Sequence, residues 1–280
     1  MNAYEKSKID KRPIGVFDSG LGGLTVLKKL AELLPYEHMI YLGDTGRVPY
    51  GSRSRETITK YAEQNAAFLM GFDIKMMVVA CNTVCSVAFD KLENAYDIPI
   101  FEVVSAPART AAESTKNNKI GVIGTVATIS SGAYEAALRK YSPDMEVFSV
   151  PCPLFVPLVE EGWISSDDEA AFSIAQRYLN ELRISGIDTL ILSCTHYPLL
   201  CSVISKVMGT GVRLIDSGAE TAKLIAAKQG SRVKDRKRKT AEPGGTIKYF
   251  VTDSIDGFAK QASKYLESDV KGQVQQITLE

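Results

Sequence analysis

Long apolar runs are missing from this sequence: nowhere does it offer the roughly 18 consecutive apolar residues that a bilayer-spanning helix needs. Its opening stretch, MNAYEKSKIDKRP, is polar and lacks the apolar centre of a secretory signal. Both absences predict a soluble, cytoplasmic protein with no membrane partner. Net charge is missing too, because 33 basic residues face 33 acidic ones. No global field therefore draws the chain toward nucleic acid or a charged surface, and the expected partner is a small molecule. The five cysteines, Cys81, Cys85, Cys152, Cys194 and Cys201, include no CxxC pair and no zinc-like spacing. An odd count in a chain of this size argues against a disulfide framework, so the thiols are expected to be reduced.

What the chain has is apolar material: 45% of its 280 residues are hydrophobic, enough for a large core in one domain or two. Two lobes are expected. Ile14 to Phe17 reads as a strand, DSGLGG as a turn, and Leu24, Leu27, Leu30, Ala31 and Leu34 as one face of a helix. Further strands are predicted at 39–44, at KMMVVACNT ending at Cys81, at 98–104, 119–124, 145–150, 188–194 and 212–216. A last strand, IKYFVT, precedes an amphipathic helix around Phe258, Ala262 and Leu266. Apolar strands without alternation, interleaved with helices, indicate an α/β fold with mostly parallel sheet covered on both faces. In such sheets ligands collect beyond the carboxyl ends of strands, where Asp18, Asp44, Cys81, Thr125 and Cys194 fall.

The sequence also echoes itself. IGVFDS (14–19) is similar to IGVIGT (120–125), and VVACNT (78–83) to LILSCT (190–195). Each half runs from an IGV strand to a strand ending in Cys-Xaa-Thr. Two such halves face to face would put one cysteine on each wall of a shared cleft. The expected division is a tail at 1–12, one lobe from 13–106 with 217–280, and a second from 107–216.

Five segments carry a sharper signal: DSGLGGLTV (18–26), GDTGRVPYG (43–51), ACNT (80–83), GVIGTVATISS (121–131) and CTHYP (194–198). In this order, and over nearly the whole chain from Pro13, they resemble the glutamate racemases. The resemblance implies two pseudo-symmetric lobes with the active site between them, and racemisation of glutamate by proton transfer between Cys81 and Cys194. It also implies a cytoplasmic homodimer that supplies D-glutamate for peptidoglycan synthesis and uses no cofactor or metal.

The same resemblance places Asp18 beside Cys81 and His196 beside Cys194 as proton-relaying helpers, with Glu160 orienting the histidine. It assigns the amino-acid head group to Ser19, Asn82, Thr83, Thr125, Thr128 and Thr195, together with Asp18 and His196. Pro49, Tyr50 and Gly51 correspond to the stretch that cradles the distal carboxylate through backbone donors. Two departures bear on the pocket wall: Ser193 replaces a glycine before CTHYP, and Val84-Cys85 replace small residues after ACNT.

The residues suit that chemistry. Racemisation removes a proton from one face of Cα and returns one to the other, so two acid/base groups must flank the carbon. An unperturbed thiol, with a pKa of about 8.5, is only a few per cent ionised at neutral pH, and each cysteine needs a partner. Hydroxyls and amides suit a zwitterion, and at helix starts they also serve as caps. Cys85, Cys152 and Cys201 lack motif context and read as buried small hydrophobes. Other readings are an aspartate or hydantoin racemase of the same superfamily, a metal or redox module built from Cys81, Cys85, Cys194 and His196, and an interaction protein. The basic cluster Lys234, Arg236, Lys237, Arg238 and Lys239 reads as a solvated loop within 228–246.

Overall fold

The computed structural model describes residues 10–230 and 244–279. Most of the N-terminal tail and the basic cluster lie outside the described residues. Two sheets organise the rest. The first contains β1 (Ile14–Asp18), β2 (Met39–Gly43), β3 (Met76–Val79), β4 (Ile100–Phe101), β9 (Ile247–Val251) and β10 (Val274–Gln276), ordered β10-β9-β2-β1-β3-β4. The second contains β5 (Lys119–Gly124), β6 (Glu146–Pro151), β7 (Thr189–Ser193) and β8 (Arg213–Asp216), ordered β6-β5-β7-β8. Among the described residues every pairing is parallel. β1, β2, β3 and β7 are buried at every position, as strands covered on both faces must be, which explains their unbroken apolar runs.

The covering helices follow the sequence pattern. α1 (Leu24–Leu33) buries Leu24, Leu27 and Leu30, and α2 (Arg55–Met70) starts where the Ser54 side chain accepts the Thr57 N–H. α3 (Asn82–Ala95) begins immediately after Cys81. Among the described residues, α4 (Ser105–Ser114), α5 (Val126–Ser130), α6 (Ala133–Arg139), α7 (Phe155–Glu161), α8 (Glu169–Ile184), α9 (Cys201–Met208), α10 (Ser217–Lys228) and α11 (Ile255–Leu266) complete the set. Among the described residues no helix is long and apolar enough to cross a membrane.

The internal echo is structural. β2-β1-β3-β4 and β6-β5-β7-β8 have the same order, so each IGV strand is central and each cysteine follows the neighbouring strand. Three expectations change in detail. The strand expected at 98–104 shrinks to Ile100–Phe101, because the Glu102 carboxylate accepts the Val104 and Ser105 N–H groups and opens α4 instead. The strand expected to end at Cys81 stops at Val79, leaving Cys81 to cap α3. The polar segment Val274–Gln276 forms an edge strand that periodicity did not indicate.

Candidate active site

Both Cys-Xaa-Thr turns open onto one cavity of about 340 Å³ between the two sheets. Its lining includes Ser19, Pro49, Tyr50, Gly51, Cys81, Asn82 and Thr83 from the first half, and Thr125, Glu160, Cys194, Thr195 and His196 from the second. The two halves meet closely at its edges. A Cβ on Gly22 would lie 2.2 Å from Thr195 Oγ1 and 2.5 Å from His196 Nδ1, and one on Gly51 would lie 2.7 Å from Thr125 Cβ. Glycine is needed at both points because no real Cβ tolerates such separations. Hydrogen bonds close the same edges: Ala127 N–H donates to Gly51 O at 3.1 Å, and Thr25 Oγ1 to Thr195 O at 2.9 Å.

On the first wall, Asp18 ends β1 and is fully buried, with Oδ2 accepting from Gly20 N at 3.0 Å and Oδ1 unpartnered. Burial raises its pKa above the usual carboxylate value, while the nearby His196 charge pulls it down. Cys81 Sγ donates to Ser19 Oγ at 3.5 Å. Burial, reinforced by the Asp18 carboxylate, pushes the Cys81 thiol up to about 12. A thiolate formed there is therefore a strong base, suited to a weakly acidic Cα–H.

On the second wall, Cys194 Sγ lies 3.9 Å from His196 Nδ1, and His196 Nε2 lies 3.2 Å from Glu160 Oε1. The latter contact is an ion pair too oblique for a well-formed hydrogen bond. Burial lowers the imidazole pKa, but Cys194, Glu160 and Asp18 outweigh it and hold His196 at about 10.

Three of the residues expected at the head group differ from the others in how they meet the cavity. Asn82 reaches the cavity, yet its amide is engaged elsewhere: Nδ2 donates to Ser217 Oγ at 3.2 Å, and Oδ1 accepts from Tyr134 OH at 2.5 Å. Thr128 lies behind the lining, its hydroxyl 3.0 Å from Thr125 Oγ1 and 3.5 Å from Thr83 Oγ1. Asp18 also stands behind the lining, next to Cys81. The departures at Ser193, Val84 and Cys85 leave the wall untouched, because all three are buried outside it; Ser193 Oγ donates to Ile123 O at 2.6 Å.

An apolar wall of Val48, Val126, Pro153, Val156 and Pro157 was not singled out in the sequence. Its one legible signal is helical spacing, since Val156 and Pro157 fall four and three residues before Glu160 on α7. Cys85, Cys152 and Cys201 are unpaired thiols outside the cavity. Among the described residues no cluster of three or more His, Cys, Asp or Glu is arranged to hold a metal.

Comparison with known proteins agrees with this geometry. The family model for Asp/Glu/hydantoin racemases matches residues 14–225. A glutamate racemase of Geobacter metallireducens is 47% identical over 96% of this chain and 97% of its own length. The crystal structure of the glutamate racemase isoform RacE1 from Bacillus anthracis superposes with a TM-score of 0.88 at 37% identity, covering 96% of this chain and 99% of that one. That of the Francisella tularensis glutamate racemase, in complex with D-glutamate, gives 0.86 at 36% identity over 96% and 98%. By sequence, fold and the pair of cysteines facing one cavity, the chain belongs to the Asp/Glu/hydantoin racemase family.

Proposed function

We propose that the chain is a glutamate racemase that interconverts the L and D enantiomers without a cofactor, passing protons between Cys81 and Cys194. The observation that carries the reading is the placement of one thiol from each half on a single cavity, each beside a distinct titratable group, Asp18 or His196. Full-length glutamate racemase relatives support the choice of substrate.

In this mechanism Cys81 takes the Cα proton of D-glutamate while Cys194 protonates the opposite face, and the roles reverse for L-glutamate. Asp18 and His196 reset the thiols between turnovers, with Glu160 holding the imidazole. Ser19, Thr83, Thr125 and Thr195 bind the amino and α-carboxyl groups, and the start of α3 adds free backbone N–H groups. Asn82 and Thr128 act through their neighbours. The Pro49–Gly51 backbone receives the distal carboxylate. With no electron sink, the carbanion depends on positioning and on hydrogen bonds already aimed at it.

The lobes divide at 13–106 with 217–280 against 107–216, and the enzyme works as a cytoplasmic homodimer supplying D-glutamate for peptidoglycan. The decisive experiment incubates purified protein with L-glutamate, without added cofactor, and follows the enantiomers by chiral chromatography. The expected end point is an equal mixture. Persistence of pure L-glutamate, or activity that appears only on adding pyridoxal phosphate or a metal, defeats the reading.

A further inference from the structure

The segment GDTGRVPYG supplies Pro49, Tyr50 and Gly51 to the cavity, but its first half has no role in the chemistry so far. Asp44, at the end of β2, is fully buried, an expensive position for a carboxylate unless charges and donors surround it. They do. Arg47 Nε donates to Oδ2 at 2.6 Å, Tyr50 OH donates to the same oxygen, and Thr252 Oγ1 donates to Oδ1 at 2.8 Å.

The partners are themselves held. Arg47 Nη1 donates to Gln64 Oε1 at 2.5 Å, its guanidinium lies 4.1 Å from the centre of the Tyr61 ring, and Asn65 Nδ2 donates to Tyr50 OH at 3.1 Å. Tyr61, Gln64 and Asn65 share one face of α2. Burial, together with Asp44, pushes the Tyr50 phenol well above its ordinary pKa, so it stays a donor. The brace at the other end comes from far along the chain. Thr252, just past β9 and beyond the family-matched residues 14–225, also accepts the Gly46 N–H at 2.9 Å. Asp44 is therefore gripped by Tyr50 at the far end of the 44–51 loop, by the helix-held Arg47 in its middle and by Thr252 from the C-terminal part of the sheet, while the loop's outer face lines the cavity.

We propose that Asp44, locked by Arg47, Tyr50 and Thr252, is a positioning residue for substrate length: it fixes the loop whose backbone receives the distal carboxylate, and so sets the preference for glutamate over the shorter aspartate. This rests on the glutamate racemase reading above. Backbone donors reward the longer acid only while they are held at one distance from the thiols, and a loosened loop loses that register. The effect belongs in substrate binding rather than in the proton transfers.

The test uses the full-length protein and compares wild type with Asp44→Asn and with Thr252→Val. The valine variant removes one donor to Asp44 from outside the cavity. For Thr252→Val, which removes both the bond to Asp44 and the acceptor for Gly46 N–H, KM for glutamate is expected to rise about tenfold, with kcat within about twofold. Asp44→Asn should raise KM further, and in both variants the glutamate-to-aspartate ratio of kcat/KM should fall by the same factor as KM rises. Circular dichroism identifies any variant that fails to fold, and the folded one then decides. An unchanged substrate ratio in a folded variant, or a fall in kcat at constant KM, overturns the positioning role. Wild-type protein inactive on glutamate would overturn the underlying reading instead.

Discussion

The two halves of this molecule share a strand order and differ in what they put at equivalent points of it. β1 and β5 are the central strands of β2-β1-β3-β4 and β6-β5-β7-β8, and Cys81 and Cys194 stand just beyond β3 and β7. Yet β1 ends in Asp18, whereas β5 ends in Gly124. A side chain at 124 is excluded, because its Cβ would lie 2.5 Å from Ser193 Oγ. The second half carries its proposed proton partner two residues after the cysteine, at His196, where the first half has Thr83. A repeated frame can thus place two thiols symmetrically while unlike neighbours give them unlike surroundings: a carboxylate that raises Cys81 on one wall, an imidazole held above its ordinary pKa on the other.

The strongest way to break this comparison is to remove the thiols one at a time. Cys81→Ser and Cys194→Ser should each lower racemisation by about 10²- to 10⁴-fold, the range for loss of a positioned acid/base. Their residual behaviour should separate: Cys81→Ser keeps the base for L-glutamate and Cys194→Ser the base for D-glutamate. A substrate analogue that eliminates a leaving group after deprotonation reads this directly. If both variants process the same enantiomer, the assignment of faces is wrong.

Exchanging the helpers tests the asymmetry itself. Asp18→Asn and His196→Asn should each slow turnover by about 10²-fold. Only Asp18→Asn should lower the Cys81 thiol pKa, because it removes the adjacent negative charge. Thiolate absorbance during a pH titration distinguishes them, and equal shifts in both variants would dissolve the distinction between the walls.

The contacts where the halves meet predict a smaller effect. Gly22→Ala and Gly51→Ala force a methyl group into the opposite half and should each cost about 1–3 kcal/mol in denaturant unfolding. Gly211→Ala, with open space around its Cβ position, serves as a control near zero. Equal stabilities for all three would mean the halves part freely at the cavity edge.

A separate effect concerns pH. The folded His196 pKa of about 10 exceeds its ordinary value of 6.5, so the native state binds this proton more tightly than the unfolded chain. Its stabilising contribution is complete below about 6.5 and is lost as pH rises to about 10. Denaturant midpoints should decline across that window, and His196→Asn should flatten the decline. An identical slope in the variant removes His196 as its source.

Much of the frame is legible in the chain. Buried parallel strands write themselves as apolar runs, so β1, β2, β5 and β7 and the two cysteine turns can be read directly. Val274–Gln276 escapes because an edge strand exposes its side chains and needs no apolar pattern. The apolar pocket wall escapes because Val126, Pro153 and Val156 look like ordinary core-forming residues until the two halves are brought together.

The sequence by itself thus determined the α/β class, the internal repeat, and the residues with proton chemistry to offer, since each is a property of local pattern or residue type. Only the tertiary structure decided which of those groups act on one another. It turned the amide of Asn82 toward Ser217 and Tyr134, set Thr128 behind Thr83 and Thr125, and surrounded Asp44 with partners up to 208 residues away. The physical reason is that burial and pairing govern proton affinity and hydrogen-bond commitment, and both depend on neighbours that the linear order of residues does not specify.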